Sequence, residues 1–384
     1  MSRRKTTIAL ALLYLLPWGI QCLVNNFMPV FIASLPFATE KTVGYAVSLG
    51  SAVTVATQLA WTKAADRAVT KSNVLALSFV CLCVCSLLFV FGGMTRARLY
   101  PFILLFYACY MAHQPLIDTI AAENTGNIAL PFGRLRSFAS LGYALTGLLF
   151  GLTAHGLSNR FFPYVAVLAL LSALTAKLVP KQNKAGTGPK NRFFANRKFI
   201  LFLLYTFLLF IGSSMLSTFF PVYYSTERGL NADIGLFSLM VSAGTFVEWM
   251  VMVIFGRADA SPKTSFLLIA LCGVCRSLVI YLVRDYRLIM LTFLFSGVWF
   301  GLLWASATPY LKKIIPQEHL AEAQGVWTIV SFGISPFLGS FLGGQLVALF
   351  ALRQLFLMIA ILLAALSAAT PFLLPAGEGQ KGDG

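Results

Sequence analysis

Apolar residues run along this chain in blocks of about twenty, separated by short polar or basic stretches from one end to the other. A helix that crosses a bilayer takes about 20 predominantly apolar residues. Such blocks fall near 7–33, 42–60, 73–92, 99–121, 137–154 and 161–178, then near 199–224, 234–254, 264–283, 288–308, 325–346 and 353–374. They predict an all-α membrane protein with twelve transmembrane helices. The first block follows Arg3, Arg4 and Lys5, as the core of a signal peptide would. Its apolar run is too long for that role, and no A-x-A-like cleavage site follows a short one. It reads as a retained helix.

Three charges interrupt the blocks: Asp118, Glu248 and Arg276. A formal charge at the centre of a bilayer costs roughly 2.5–3.5 kcal/mol on insertion scales. Residues of this kind face a bundle interior or a water-filled cavity, and they mark solute or proton pathways.

Between the sixth and seventh blocks lies PKQNKAGTGPKNRFFANRK, residues 180–198, rich in Lys, Gly, Pro and Asn and without an apolar period. It divides the chain into a first six-helix bundle over 1–179, a cytoplasmic linker over 180–198 and a second bundle over 199–374. The tail over 375–384 is expected to be disordered. The halves echo each other. Phe27-Met28-Pro29-Val30-Phe31 closes the first block, and Phe219-Phe220-Pro221-Val222-Tyr223 closes the seventh, 192 residues later. Gly133, Gly147 and Gly151 recur at the same offset as Gly325, Gly339 and Gly343. Duplication explains this placement, and transporters built from repeated halves hold their site at mid-membrane between them. Small residues four apart also let helices approach closely, which explains why glycine stands there.

The net charge of +16 would point to nucleic acid in a soluble protein. Its distribution points elsewhere. With the N-terminus inside and the blocks alternating, 20 of the 29 Lys and Arg fall in cytoplasmic segments, 8 fall outside and Arg276 falls in the membrane. This positive-inside asymmetry puts both termini in the cytoplasm of a multi-pass protein of the cell membrane. The partners expected are the lipid bilayer, a small solute and a proton, with no nucleic acid and no cofactor, and the chain is expected to act as a monomer. The seven cysteines all lie in apolar blocks. In CLCVC at 81–85, alternation by two spreads the thiols around a helix, so they do not converge on a metal, and disulfides are not implied.

Between the second and third blocks, Asp66 and Arg67 stand in a stretch that resembles a degraded G-x-x-x-D-R-x-G-R-R loop, with Thr62 and Val69 at the glycine positions. That loop is the signature of the major facilitator superfamily, and it implies a conformational-switch role for Asp66 and Arg67. PFGRLRSFASLGY at 131–143 resembles the start of helix five in lactose-permease-like oligosaccharide:proton symporters. The resemblance implies the major facilitator fold, two six-helix pseudo-repeats. It also implies that Asp118 and Arg136, eighteen residues apart, bind solute hydroxyls while Tyr143 stacks on the solute ring. Glu248 in the eighth block and Arg276 in the ninth match an acid and an arginine of that family. Phenylpropionate-permease-like and nucleoside:proton symporters share the layout. The His and Glu that lactose permeases carry in helix ten have no counterpart in 295–301, so proton coupling would run elsewhere.

Periodicity adds candidates. Tyr107, Met111, Gln114 and Asp118 form one helical stripe, and Trp18, Gln21, Asn25 and Pro29 form another. Gln and Asn both donate and accept, which suits a polar solute, although they also join helices without touching one. An Arg fork holds a carboxylate or paired hydroxyls bidentately, so Arg136 qualifies, although it also serves as an ordinary positive-inside charge. Glu248 and Arg276 fall on consecutive helices, each well inside, and are expected to meet near mid-membrane. Burial penalises the charge on the acid and a cation beside it favours that charge, a competition suited to a coupling proton. A permanent structural ion pair is the plain alternative. Trp299 and Trp304 could stack on a ring, though membrane aromatics more often pack or anchor, and of the two Trp299 lies in the stretch compared with helix ten.

The expected function is secondary active transport, with uptake of a sugar, nucleoside or small aromatic acid driven by protons. An efflux pump of the same fold is the nearest rival. An enzyme is not expected: no H-E-x-x-H, no G-x-S-x-G and no Walker A sequence occurs, and three His leave little for a metal site. A solute sensor would add a soluble output domain.

Overall fold

The computed structural model describes residues 3–68, 70–110, 113–124, 129–130, 132–153, 161–179, 196–255, 261–316 and 319–374. Every regular element among them is helical: α1 (Arg3–Ala33), α2 (Glu40–Arg67), α3 (Lys71–Phe91), α4 (Arg96–Tyr110), α5 (His113–Glu123), α6 (Phe132–Thr153), α7 (Phe161–Lys177), α8 (Arg197–Ser225), α9 (Ile234–Phe255), α10 (Pro262–Leu282), α11 (Tyr286–Met290), α12 (Thr292–Ile314), α13 (Leu320–Ile329), α14 (Ser335–Phe350) and α15 (Leu352–Leu373). Ten helical stretches are long and apolar enough to cross a bilayer, and α7 is a shorter apolar helix. The fourth block is carried by α4 and α5, which flank residues 111–112. Most of the expected linker, 180–195, and the expected tail, 375–384, lie outside the described residues.

The packing repeats as the sequence does. In the first half α1 packs on α6 and α7, α3 on α7, and α2 on α4. In the second half α8 packs on α14 and α15, α10 on α15, and α9 on α12. Each pair in one set has its counterpart in the other, so α1 and α8 play the same part, as their shared Pro-Val ends require. The halves meet along α2 with α14, α6 with α9, and α1 with α8. On the outer helices large apolar side chains stay exposed, among them Leu77, Val84 and Phe91 of α3 and Val167, Leu170 and Leu174 of α7. In water a patch of that extent would drive association. In hydrocarbon it is matched, and each helix satisfies its own backbone.

Small residues hold the halves together at the end that carries residues 34–39 and 226–233. Gly44 of α2 faces Gly344 of α14 so closely that a Cβ on Gly44 would stand 2.8 Å from both the Gly344 Cα and the Ser340 carbonyl oxygen. Gly151 of α6 faces Gly235 of α9 in the same manner, with a Cβ 2.8 Å from the Gly235 carbonyl oxygen. The Ser238 hydroxyl donates to the Gly147 carbonyl at 2.6 Å, and that of Ser242 to the Ala144 carbonyl at 2.9 Å. Arg228 donates to the Ala38 carbonyl at 2.7 Å and pairs with Glu40 at 3.3 Å. That last pair is solvated, and such pairs contribute about 0–1 kcal/mol. The close backbone approach therefore carries the seam. The duplicated glycines have diverged in use: Gly147 and Gly151 face α9 of the other half, whereas Gly339 and Gly343 face α8 of their own half. At the opposite end, the first turns of α6 leave Arg134, Arg136 and Ser137 exposed.

One irregularity positions side chains for the site. Between α13 and α14 the chain makes a π turn over Val330–Ile334. Pro336 has no N–H to give to the carbonyl four residues back, so the ladder loses a bond there. Ser335 donates its N–H and its hydroxyl (2.8 Å) to the Val330 carbonyl, five residues back. Single π turns of this kind gather at functional sites. This one presents Phe332 to Trp304, ring on ring at 5.5 Å and 5°.

Candidate functional site

The polar residues of α1 converge on those of α5, α4 and α6. Tyr14 is fully buried, and its hydroxyl donates to Asp118 Oδ1 at 2.7 Å. Tyr110 donates to Asn25 Oδ1 at 2.9 Å, and Asn26 donates to the Tyr143 hydroxyl at 2.9 Å. The Gln21 side-chain oxygen is buried without a partner. Gln114 is half-buried and forms no hydrogen bond among the described residues. Buried polar atoms without partners are few in folded proteins, and each calls for a water, an ion or a ligand.

Arg136 stands across from this cluster, within electrostatic reach of Tyr14. It forms no ion pair with Asp118 among the described residues. Its guanidinium carbon instead lies 6.0 Å from the ring centre of Trp304 in α12, on the other half. Trp304 stacks on Phe332, and Phe332 meets Phe210 at 4.8 Å. Phe210 in turn meets Trp299 at 5.3 Å. One half thus gathers a carboxylate, a phenol and amides, and its Arg136 guanidinium meets an indole of the other half. Such a set of groups can take hydroxyls in pairs and a ring face.

Glu248 is half-buried on α9, with no hydrogen bond or ion pair among the described residues, and its charge reaches Tyr143. The expectation that Glu248 meets Arg276 is not met. α12 packs against both α9 and α10 and lies between them. The residues also sit toward opposite ends of antiparallel helices. Glu248 is seven residues (255 − 248) from the end of α9 and Arg276 six (282 − 276) from the end of α10, ~10 Å and ~9 Å at 1.5 Å per residue. Arg276 faces Phe293 and Phe220 instead, at 4.9 and 5.3 Å. Trp299, 5% exposed, lies in that same part of the second half and not beside Asp118.

Tyr107 is buried, its ring packed edge-on to Tyr110 and close against Gly50 of α2, where a Cβ would stand 2.8 Å away. Its neighbour Tyr110 makes the polar contact. Arg67 is exposed in the last turn of α2, and the side chain of Asp66 lies outside the described residues.

Tyr14, Tyr110 and Asn26 escaped the sequence reading, whereas Trp304 stood in it as a ring that could stack on a solute. Two carried a signal. Tyr14 continues the stripe of Trp18, Gln21 and Asn25 by one turn, at the same four, seven and eleven spacing that links Tyr107 to Asp118. Tyr110 flanks that second stripe. Asn26 carried none, because what matters about it is a partner on another helix.

A family model described as the MFS_1 like family matches residues 7–358. The maltose permease of Geobacillus stearothermophilus is 25% identical over 327 residues, covering 83% of this chain and 82% of the permease. A putative nucleoside transporter of Escherichia coli, YegT, is 24% identical over 277 residues, 65% of this chain and 63% of its own. Among solved structures, the nucleoside transporter NupG superposes with a TM-score of 0.81 at 16% identity, covering 96% of this chain and 99% of NupG. At that identity the superposition shows the shared fold.

Proposed function

This chain belongs to the MFS_1 like family, a membrane transporter of that fold and not an enzyme, and from that premise we propose that it takes up a small hydroxylated ring solute together with a proton. The classes are a sugar, a nucleoside or a small aromatic acid. One observation carries the reading: the first half holds Asp118 by the Tyr14 hydroxyl and sets Arg136 against the Trp304 indole of the second half. A carboxylate accepts two hydroxyls, a guanidinium donates in a fork, and an indole face covers a ring. That set favours a sugar or nucleoside over a purely aromatic acid. Gln21 and Gln114 supply further donors and acceptors.

The two halves rock about this site. With the termini in the cytoplasm, the seam of Gly44 with Gly344 and of Gly151 with Gly235 closes the outer face, and Arg136 opens toward the cytoplasm. Reporter fusions in the 180–195 segment and after Leu374 both read cytoplasmic, and an external reading at either one overturns the orientation. Glu248 carries the coupling proton, without Arg276 as its partner. Solute and proton stabilise overlapping states, so their binding free energies are linked and reciprocal. The protein acts as a monomer in the bilayer, and Asp66 and Arg67 act at the switch between states.

Proteoliposomes with an imposed inward proton gradient test the function. Labelled sugars, nucleosides and aromatic acids are offered in turn. At least one accumulates above its external concentration, and a protonophore reduces it to equilibration. Gradient-driven extrusion instead would make the protein an efflux pump, and passive equilibration indifferent to the gradient would end the symport reading.

A further inference from the structure

The second half holds a half-buried cation with no counter-charge among the described residues. Arg276 forms no ion pair and no hydrogen bond among the described residues, and its Nε is buried. The Phe293 and Phe220 rings cover the guanidinium at 4.9 and 5.3 Å. Ring faces stabilise a cation but accept none of its N–H bonds, and a guanidinium carries five. A buried donor left without a partner is costly, and more so on a charged group. A site that keeps an arginine in this state has room beside it for the missing charge.

That room is present. A cavity of about 20 Å³ lies against Arg276, lined from α8, α10, α12 and α15 and partly open at its mouth. Ser213, Ser296 and Trp299 also line it. Neither serine hydroxyl nor the Trp299 indole N–H forms a hydrogen bond among the described residues. Gly273 opens the wall, since a Cβ there would stand 3.9 Å from Trp299 Nε1 and only 2.6 Å from Leu363. The walls thus carry a guanidinium, an indole N–H and two hydroxyls, all able to donate, and no carboxylate. The helical carbonyls around them are engaged in their own ladders.

We propose that this cavity binds a single small inorganic anion, a halide, with Arg276 as its counter-ion and Ser213, Ser296 and Trp299 as further donors. Size decides the class. The space beside Arg276 suits one water-sized occupant, which fits a monatomic ion better than the carboxylate of an organic solute. Charge decides against the other small occupants: a cation is repelled, and a water leaves the guanidinium uncompensated. The cavity lies inside one half and not between the two, so the halide is a resident ion and not cargo. This inference stands apart from the solute and proton assignments, because its test is binding and not transport.

The experiment uses full-length protein in detergent, unfolded by heat in sodium gluconate at fixed ionic strength while sodium chloride or bromide replaces the gluconate. A ligand that binds the folded state raises the apparent Tm in a saturable manner. Chloride and bromide both produce that rise in the wild type. Arg276→Gln abolishes it, and Ser296→Ala and Trp299→Phe shift its midpoint upward by about tenfold, the 1.4 kcal/mol of one lost charge-assisted hydrogen bond. A wild-type Tm indifferent to halide overturns the proposal, as does a wild-type halide response in Arg276→Gln. If Arg276→Gln does not fold, the other two variants decide: an unmoved midpoint in both places the ion elsewhere.

Discussion

Asp118→Asn abolishes solute uptake while the protein stays folded and inserted, and Arg136→Ala does the same. Asparagine keeps the volume of the carboxylate and still accepts the Tyr14 hydroxyl, which now reaches Oδ1 at 2.7 Å. What it removes is the charge. Hydrogen bonds to charged groups contribute about 1.5–3 kcal/mol, against about 1 kcal/mol for neutral ones. A solute held by two such bonds therefore loses at least tenfold, and up to several hundredfold, in affinity. Arg136 allows a cleaner separation. It is exposed and makes no hydrogen bond among the described residues, so truncating it leaves stability within about 0.5 kcal/mol. A lost activity with an unmoved Tm then reports solute binding. Tyr14→Phe takes away one hydrogen bond to the charged Asp118 and should cost about tenfold or more in half-saturating solute. Counterflow in proteoliposomes, beside the Tm of each variant, makes the measurement. Wild-type uptake in either Asp118→Asn or Arg136→Ala would remove that residue from the binding site.

Glu248→Gln separates exchange from accumulation. Glutamine mimics the protonated acid. A symporter held in that form still binds solute and reorients with it, so equilibrium exchange proceeds at a rate near that of the wild type. Net uptake requires the proton to leave on the inside, so accumulation against a gradient falls to the level of equilibration. The surroundings favour this outcome over a structural role. Glu248 has no ion-pair partner among the described residues, and α12 separates it from Arg276. No bridge therefore breaks when the charge is removed, and the variant should fold as the wild type does. The close packing of α9 on α12 runs through glycine: a Cβ on Gly297 would stand 2.3 Å from the Gly244 carbonyl oxygen, and one on Gly301 2.9 Å from the Glu248 carbonyl oxygen. The backbone at Glu248 is thus held by that packing and not by its side chain. If Glu248→Gln still concentrates solute in response to a proton gradient, Glu248 is not the proton carrier, and Asp118 becomes the acid to test.

Much of the architecture was legible along the chain for a definite reason. In hydrocarbon each segment must satisfy its own backbone, so a block of about twenty apolar residues is already a helix before any partner is known. The duplication was legible for a similar reason, because Pro29 with Pro221 and Gly147 with Gly339 keep their offset whatever the helices later touch. Stripes of polar residues were legible from the helical period, and they led to Asp118, Gln21 and Asn25. The same stripe extended one turn leads to Tyr14.

Neighbourhood in space was not legible. Consecutive helices read as neighbours, and so Glu248 and Arg276 read as a pair; the fold instead places α12 between their helices. Arg136 and Trp304 lie on different halves, 168 residues apart (304 − 136), and only the closing of one half on the other brings them within 6.0 Å. Helices in lipid gain no hydrophobic advantage from touching one another, so association is decided by small residues that allow close approach and by a few polar contacts. The glycines that do this work, Gly44 against Gly344 and Gly151 against Gly235, resemble the chain's other glycines until their partners are seen. The sequence by itself determined what each segment is and which residues cannot face lipid. The tertiary structure alone decided which of those residues meet, because helix-to-helix contacts are non-local and carry no period of their own.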